Sequence, residues 1–157
     1  MIKTFFLHGL ESSGKGTKGQ FFASNYPKIK CPDFTGNLDN RLQQLESMSK
    51  GYRELQFVGS SFGGLMAVCF ALNCPQKVKK LILLAPALNF GGFTPPARKI
   101  LVPTYVVIGK NDNVTPVDPV IQLAEATFSD LTVEIVNDDH MLHKTFEKLA
   151  WDKLIGG

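Results

Sequence analysis

Leu55-Gln56-Phe57-Val58-Gly59-Ser60-Ser61-Phe62-Gly63-Gly64-Leu65-Met66-Ala67-Val68-Cys69-Phe70-Ala71-Leu72 runs from a short apolar strand, through a turn bracketed by glycines, into a segment that is apolar on every side. A helix over Gly64–Leu72 has no polar face to give to water, so it is expected to be buried on most sides. The turn reads G-x-S-x-G between a strand and a helix. So sharp a turn leaves no room for side chains at Gly59 and Gly63, and it pushes Ser61 into the open. The Ser61 Oγ then sits at a helix N-terminus as a candidate nucleophile, and the Phe62 N–H points toward a developing oxyanion.

Outward from this stretch, short apolar runs alternate with longer amphipathic ones. Strands are expected at Thr4–Leu7, Leu55–Val58, Lys80–Leu84, Thr104–Ile108 and Thr132–Val136, with a weaker one near Lys28–Cys31. Most are continuously apolar, as strands buried on both faces of a parallel sheet should be. Helical stripes are formed by Leu38, Leu42, Leu45 and Met48, by Val117, Ile121, Ala124 and Phe128, and by Leu142, Phe146 and Leu149. Asp118-Pro119 reads as a helix start, with Asp as the cap and Pro in the first turn. The alternation implies an α/β fold with a doubly wound, mostly parallel sheet, and places ligands at the C-terminal ends of the strands.

Residues just past three other strands complete a catalytic arrangement. Gly109-Lys110-Asn111-Asp112 follows Thr104–Ile108, and Asn137-Asp138-Asp139-His140 follows the last strand. In that arrangement His140 takes the Ser61 proton, and Asp112 holds the imidazole tautomer and stabilises its charge. Taken singly, Asp112 reads equally as a turn former and His140 as a surface residue; the order Ser…Asp…His is what links them. His8-Gly9-Leu10 follows the first strand, where a backbone N–H from Leu10, or from Glu11 if the loop is offset by one, completes an oxyanion hole with Phe62. His8 is expected to position that loop through its ring nitrogens.

Leu7-His8-Gly9-Leu10-Glu11-Ser12-Ser13, Gly59-Ser60-Ser61-Phe62-Gly63-Gly64, Gly109-Lys110-Asn111-Asp112 and Asp139-His140 together resemble the four blocks of small α/β-hydrolases, over nearly the whole chain. The closest likeness is to compact bacterial esterases that begin at the HG strand. The resemblance implies a minimal fold of about six strands, in the order 2-1-3-4-5-6. It also implies hydrolysis of carboxylic esters or thioesters through an acyl-enzyme, with no cofactor and no metal. Two departures from larger relatives stand out. Their early antiparallel strands are absent, and the segment where a helical lid is often inserted is only Ala85–Val102, with Gly91-Gly92 and Pro95-Pro96. A lidless groove points to small acyl groups.

The first loop carries a competing motif. Gly9-Leu10-Glu11-Ser12-Ser13-Gly14-Lys15-Gly16-Thr17 is close to a phosphate-binding loop and resembles the GKGT form of nucleoside monophosphate kinases. Against it stand Gly16 in place of a hydroxyl residue after Lys15, the lack of an acidic Mg²⁺ anchor at a strand end, and the presence of only Arg41, Arg53 and Arg98 among 17 basic residues. On the hydrolase reading Gly14–Gly16 is a mobile loop beside the active-site mouth. A third reading is a non-catalytic binding protein on a hydrolase scaffold.

The 157 residues suit one domain over 1–157, with ordinary apolar (44%) and charged (20%) content. The net charge of +3 is scattered and argues against a nucleic-acid footprint. Cys31, Cys69 and Cys74 have no metal-ligand spacing and read as idle thiols of a reducing cytosol. No apolar run approaches the roughly 20 residues of a membrane span, so a cytoplasmic protein acting on a small-molecule ester is expected, its oligomeric state open. Phe90 and Phe93 read equally as an acyl pocket or as cover for the sheet, and adjacency to Ser61 favours the pocket for Phe62. His140-Met141-Leu142-His143 is weak as a metal motif, and His143 is expected in the exposed first turn of the last helix.

Overall fold

The computed structural model describes residues 1–156. Five strands, β1 (Ile2–Leu7), β2 (Glu54–Ser60), β3 (Val78–Leu84), β4 (Thr104–Gly109) and β5 (Leu131–Val136), form one sheet in the order β1-β2-β3-β4-β5. All four pairings are parallel. Between and after them lie α1 (Thr17–Asn25), α2 (Leu38–Ser49), α3 (Phe62–Asn73), α4 (Val117–Thr127) and α5 (Trp151–Gly156).

Side chains of consecutive strand residues face opposite sides of a sheet, and here both sides are apolar. Phe5, Leu7, Leu55, Phe57, Leu81, Leu83, Val106 and Ile108 pack with α2, α3 and α4 in one core cluster. Phe6, Val58, Ile82, Leu84 and Val107 pack in the other with Phe22 of α1, Leu142, Phe146 and Trp151. This is the expected doubly wound arrangement. In α3 every residue from Phe62 to Ala71 except Cys69 is buried, as its uniform apolarity requires.

Three details correct the sequence reading. The sixth strand near Lys28–Cys31 is reduced to one bridge between Lys30 and Phe5, on the outer side of β1 where it was expected. Phe6 N–H donates to Lys30 O (2.8 Å) and Lys30 N–H to Thr4 O (3.0 Å). Pro27 and Pro32 bracket this segment, and proline, lacking an N–H, stops the ladder from growing. The helix expected through Leu142, Phe146 and Leu149 is a series of turns, with a 3₁₀ turn at Phe146–Lys148, and α5 begins only at Trp151. Leu142 sits at φ 55°, and the Asp138 carboxylate takes the N–H groups of Lys144 and Thr145, a local competitor to helix hydrogen bonding. Helix α4 starts at Val117 after Pro116, so Asp118 and Pro119 lie inside its first turn.

Tight backbone approaches set the sheet against α3. A Cβ on Gly63 would lie 1.9 Å from Leu7 O, whereas one on Gly51 would meet nothing within 4 Å. Gly63→Ala is therefore expected to destabilise by about 1–3 kcal/mol or more. Gly51→Ala should stay within about 0.5 kcal/mol of the parent. Urea midpoints of the two variants measure the difference.

Candidate active site

Ser61 joins β2 to α3 with φ 55° and ψ −115°, a conformation that costs a side-chain-bearing residue on the order of 1–3 kcal/mol. Neighbouring backbone holds it there. Its N–H donates to Leu84 O (2.9 Å), and its carbonyl accepts from Gly64 (2.9 Å), Leu65 (3.2 Å) and Ala87 (3.0 Å). The collisions inferred for the bracketing glycines are real: a Cβ on Gly59 would lie 2.5 Å from Gly63 O.

His140 lies on the loop after β5, with Nε2 3.1 Å from Ser61 Oγ and Nδ1 2.7 Å from Asp112 Oδ2. Its side chain is 16% exposed, while that of Asp112 is fully buried. Asp112 Oδ1 accepts from the N–H groups of Val114 (2.8 Å) and Thr115 (2.7 Å), and Oδ2 accepts from Thr115 Oγ1 (2.6 Å). Burial alone would raise this carboxyl's pKa. The bonds from Thr115, His140 and Val114 outweigh burial and hold it below the usual carboxylate range. The carboxylate is thus kept charged, aimed, and in hydrogen bond with the imidazole.

Two contributors escaped the sequence reading. Thr115 Oγ1, bonded to Asp112, also lies 3.2 Å from His140 Nδ1; the Asp-x-x-Thr spacing of a side-chain-capped turn was its signal. Gly109 lets the two loops meet, because a Cβ there would lie 2.4 Å from Asp138 O and 2.6 Å from Asp139 O. The rival acids and histidine are otherwise engaged. Asp139 Oδ2 pairs with His143 Nδ1 at 2.6 Å on the surface, and this bond pulls the Asp139 carboxyl down to about 2. Asp138 is buried and turned onto backbone N–H groups.

Gly9 lies beside the serine: a Cβ on it would be 3.6 Å from Ser61 Cβ. His8 Nδ1 donates to Gly9 O (2.6 Å), and Nε2 accepts from the Phe34 N–H (2.8 Å). Burial pushes its pKa down, and its two nitrogens tie the Gly9 carbonyl to the chain at Phe34. Phe62 opens α3, so its N–H has no acceptor inside the helix.

A cavity of about 890 Å³ opens over Ser61 and His140, its walls including Leu10, Thr17, Lys18, Val114 and Met141. Phe90 and Phe93 do not line it. Phe90 is 44% exposed with its ring edge-on to Phe62 (5.7 Å), and Phe93 packs on the core. Phe62 itself is buried in that core and does not line the cavity. The apolar lining comes instead from Phe6, Leu10, Val114 and Met141, which are among the residues singled out from the sequence or lie within two positions of one, and that proximity was the available signal. No helix lies between Ala85 and Pro103.

The phosphate-loop motif spends its donors on its own chain. Gly14 N–H goes to Asp33 Oδ1 (2.8 Å), Lys15 N–H to Ser13 Oγ (3.1 Å) and Gly16 N–H to Ser13 O (3.1 Å). A phosphate cradle needs those groups free. Nor is Gly14 loosely placed, since a Cβ on it would lie 2.0 Å from Cys31 O. Among the described residues no three His, Cys, Asp or Glu side chains group as a metal site, and no helix is long and apolar enough to cross a membrane.

The profile of an uncharacterised protein family, UPF0227, matches residues 3–97. No curated protein sequence matches the chain. Several solved structures share its fold. A protein classed with the hydrolases of the alpha/beta superfamily from Xanthomonas campestris pv. campestris is 25% identical, with a TM-score of 0.74 over 89% of this chain and 88% of its own. Alpha/beta hydrolase domain-containing protein 10 from mouse is 19% identical, with a TM-score of 0.76 over 98% and 89%. A monoacylglycerol lipase from Paleococcus ferrophilus is 15% identical, with a TM-score of 0.74 over 98% and 93%. These likenesses establish the α/β-hydrolase fold.

The loop that carries His140 gives the site a pH-dependent support. Burial would raise the Asp138 carboxyl's pKa, but bonds from Asp139, Thr145 and Lys144 bring it below the usual range. A carboxyl depressed by folding stabilises fully above its unfolded pKa, near 3.9. That contribution is lost as pH falls through the folded value. The melting temperature is expected to fall on acidification below about pH 4. In Asp138→Asn the neutral-pH value should be lower and the acid slope shallower, as a pH series of thermal melts will read.

Proposed function

The chain belongs to the uncharacterised protein family UPF0227, and we propose that it is a serine hydrolase that cleaves carboxylic esters, thioesters included, through an acyl-enzyme. One observation carries the reading: a half-buried serine at positive φ, 3.1 Å from an imidazole nitrogen whose other nitrogen is 2.7 Å from a buried carboxylate. The hydrolase names of the structural neighbours support the broad class.

On this reading Ser61 Oγ attacks the ester carbonyl carbon while His140 Nε2 takes the hydroxyl proton. The carbonyl oxygen becomes an oxyanion that accepts from the N–H groups of Phe62 and Leu10; one such donor is worth about 2.7–4 kcal/mol. Collapse breaks the bond to the alkoxy or thiolate group, which leaves with the proton from His140. Water, deprotonated by the same imidazole, then attacks the acyl-enzyme carbonyl; the second oxyanion collapses, the acyl–Oγ bond breaks, and Ser61 Oγ takes the proton back from His140 as the acid leaves. Asp112 stabilises the imidazolium in both halves, with Thr115 holding the carboxylate in line. The mechanism calls on no cofactor.

The acyl group has Leu10, Val114 and Met141 to lie against, and these are 56%, 55% and 47% exposed. A chain resting on them stays wet on its other side. Each added methylene then gains only part of the roughly 0.8 kcal/mol of full burial, so small acyl groups should be preferred.

Ser61→Ala is expected to abolish labelling by a fluorophosphonate probe and to lower p-nitrophenyl acetate turnover by several orders of magnitude. Asp112→Asn should cost on the order of 10⁴ in kcat by presenting the wrong tautomer. An unlabelled wild-type protein without turnover would mean a binding protein on a hydrolase scaffold. Across p-nitrophenyl esters from acetate to laurate, kept below micelle formation, kcat/KM should peak at about two to four carbons because methylenes are only partly buried. A steady rise to laurate would contradict the small-acyl assignment.

A further inference from the structure

Lys18 is the second residue of α1, only 9% exposed, and it borders the cavity over Ser61. An ammonium taken out of water is expensive unless it is paired. Among the described residues no carboxylate lies within ion-pairing distance of its Nζ. What Nζ does have is the carbonyl of Met141 at 2.8 Å, the face of Phe146 at 5.3 Å, and the more distant charges of Asp139 and Asp138. Burial lowers its pKa against the pull of those two acids. A leucine or methionine would fill this volume at less cost, so packing alone is a poor account of a lysine here.

The bond it makes has a particular place. Met141 follows His140, and the loop spanning 137–145 is held on its own side by Asn111 N–H to Asp138 O and by the Asp138 carboxylate. Apart from the His140 ring's own contact with Ser61, the Lys18 bond is the one hydrogen bond among the described residues that joins this loop to the half of the chain carrying Ser61 and the His8-Gly9-Leu10 turn. Its anchor is firm. A Cβ on Gly19 would lie 1.9 Å from Gly14 O, and Gly14 is itself wedged against Cys31 O, so the start of α1 has one way to sit.

We propose that Lys18 is a positioning residue for His140: its ammonium pins the carbonyl after the histidine and so keeps Nε2 on Ser61. The role rests on the serine-hydrolase reading above. Lys18 neither touches the reacting atoms nor moves a proton. It fixes how far the His140 loop can swing away from the elbow, and misplacement of this kind lowers kcat and leaves binding little changed.

In Lys18→Met, kcat for p-nitrophenyl acetate is expected to fall on the order of 10- to 100-fold with KM nearly unchanged and the melting temperature close to wild type. In Lys18→Ala, added ethylammonium should recover part of the lost kcat by donating to the Met141 carbonyl. Tetramethylammonium, with the same charge and no N–H, should not. A readout that needs no turnover is the far-downfield proton resonance of the His140 Nδ1–H bonded to Asp112, which should broaden in Lys18→Met. Wild-type kcat with an unaltered resonance overturns the proposal. So does a loss matched by a falling melting temperature that ethylammonium does not relieve, which is a folding role. A wild type with no turnover and no adduct on Ser61, together with a broadened resonance in Lys18→Met, overturns the hydrolase reading and supports the loop-holding role.

Discussion

The backbone of Gly63 meets the end of β1 more closely than any side chain could tolerate. A Cβ on that residue would lie 1.9 Å from Leu7 O and 2.8 Å from His8 O. Because β1 and β2 pair with Leu7 level with Gly59, the elbow and the His8-Gly9-Leu10 turn emerge side by side at the C-terminal edge of the sheet. The first turn of α3 is pressed against them. The apolarity of α3 follows from the same contact. A helix driven into the sheet from its first residue touches β1, β2 and β3 along its length and leaves only Cys69, Leu72 and Asn73 in contact with water.

Around this contact three aspartates of similar sequence surroundings do three different jobs, and their partners tell them apart. Asp112 is buried and aims at an imidazole. Asp138 is buried and aims at main-chain N–H groups. Asp139 is exposed and forms a surface pair with His143. All three carboxyls are shifted downward, so the shift alone does not identify the one that faces the serine through an imidazole. Geometry does, since only Asp112 shares an imidazole with Ser61.

Much of this was legible in the sequence because it rests on local rules. The G-x-S-x-G turn needs glycines where backbones touch, and the two-faced burial of a parallel sheet needs continuous apolar runs; both patterns can be read one segment at a time. The placement of Asp112 and His140 followed from strand ends, which periodicity locates well. What escaped depends on long-range contacts. Thr115 and Gly109 matter because two loops distant in sequence converge on them. The expected helix at Leu142 has sound periodicity, but a carboxylate four residues before its start claims the N–H groups. Phe90 and Phe93 had the right chemistry for an acyl pocket and the wrong place in space. Lys18, one residue past the phosphate-loop motif, carried no signal of its own, because its ammonium reaches a carbonyl 123 residues away.

Strain in this chain is not spread evenly. Among the described residues the only non-glycine residues at positive φ are Ser61, Ala85 and Leu142. Ser61 is the elbow itself. Ala85 follows the end of β3 beside it, two residues before the Ala87 N–H that bonds the Ser61 carbonyl. Leu142 turns the chain two residues after His140. Each such conformation costs on the order of 1–3 kcal/mol and survives only where surroundings over-determine it. Here those surroundings are almost fully apolar: Ala85 and Leu142 are buried, and α3 behind Ser61 is enclosed. The expense falls where backbone turns must present a serine and a histidine to one another at 3.1 Å, and regular helix or strand geometry at those positions would point both side chains elsewhere. A chain selected for stability alone gains nothing from placing all three there, which is the pattern expected when local rules give way at a functional site.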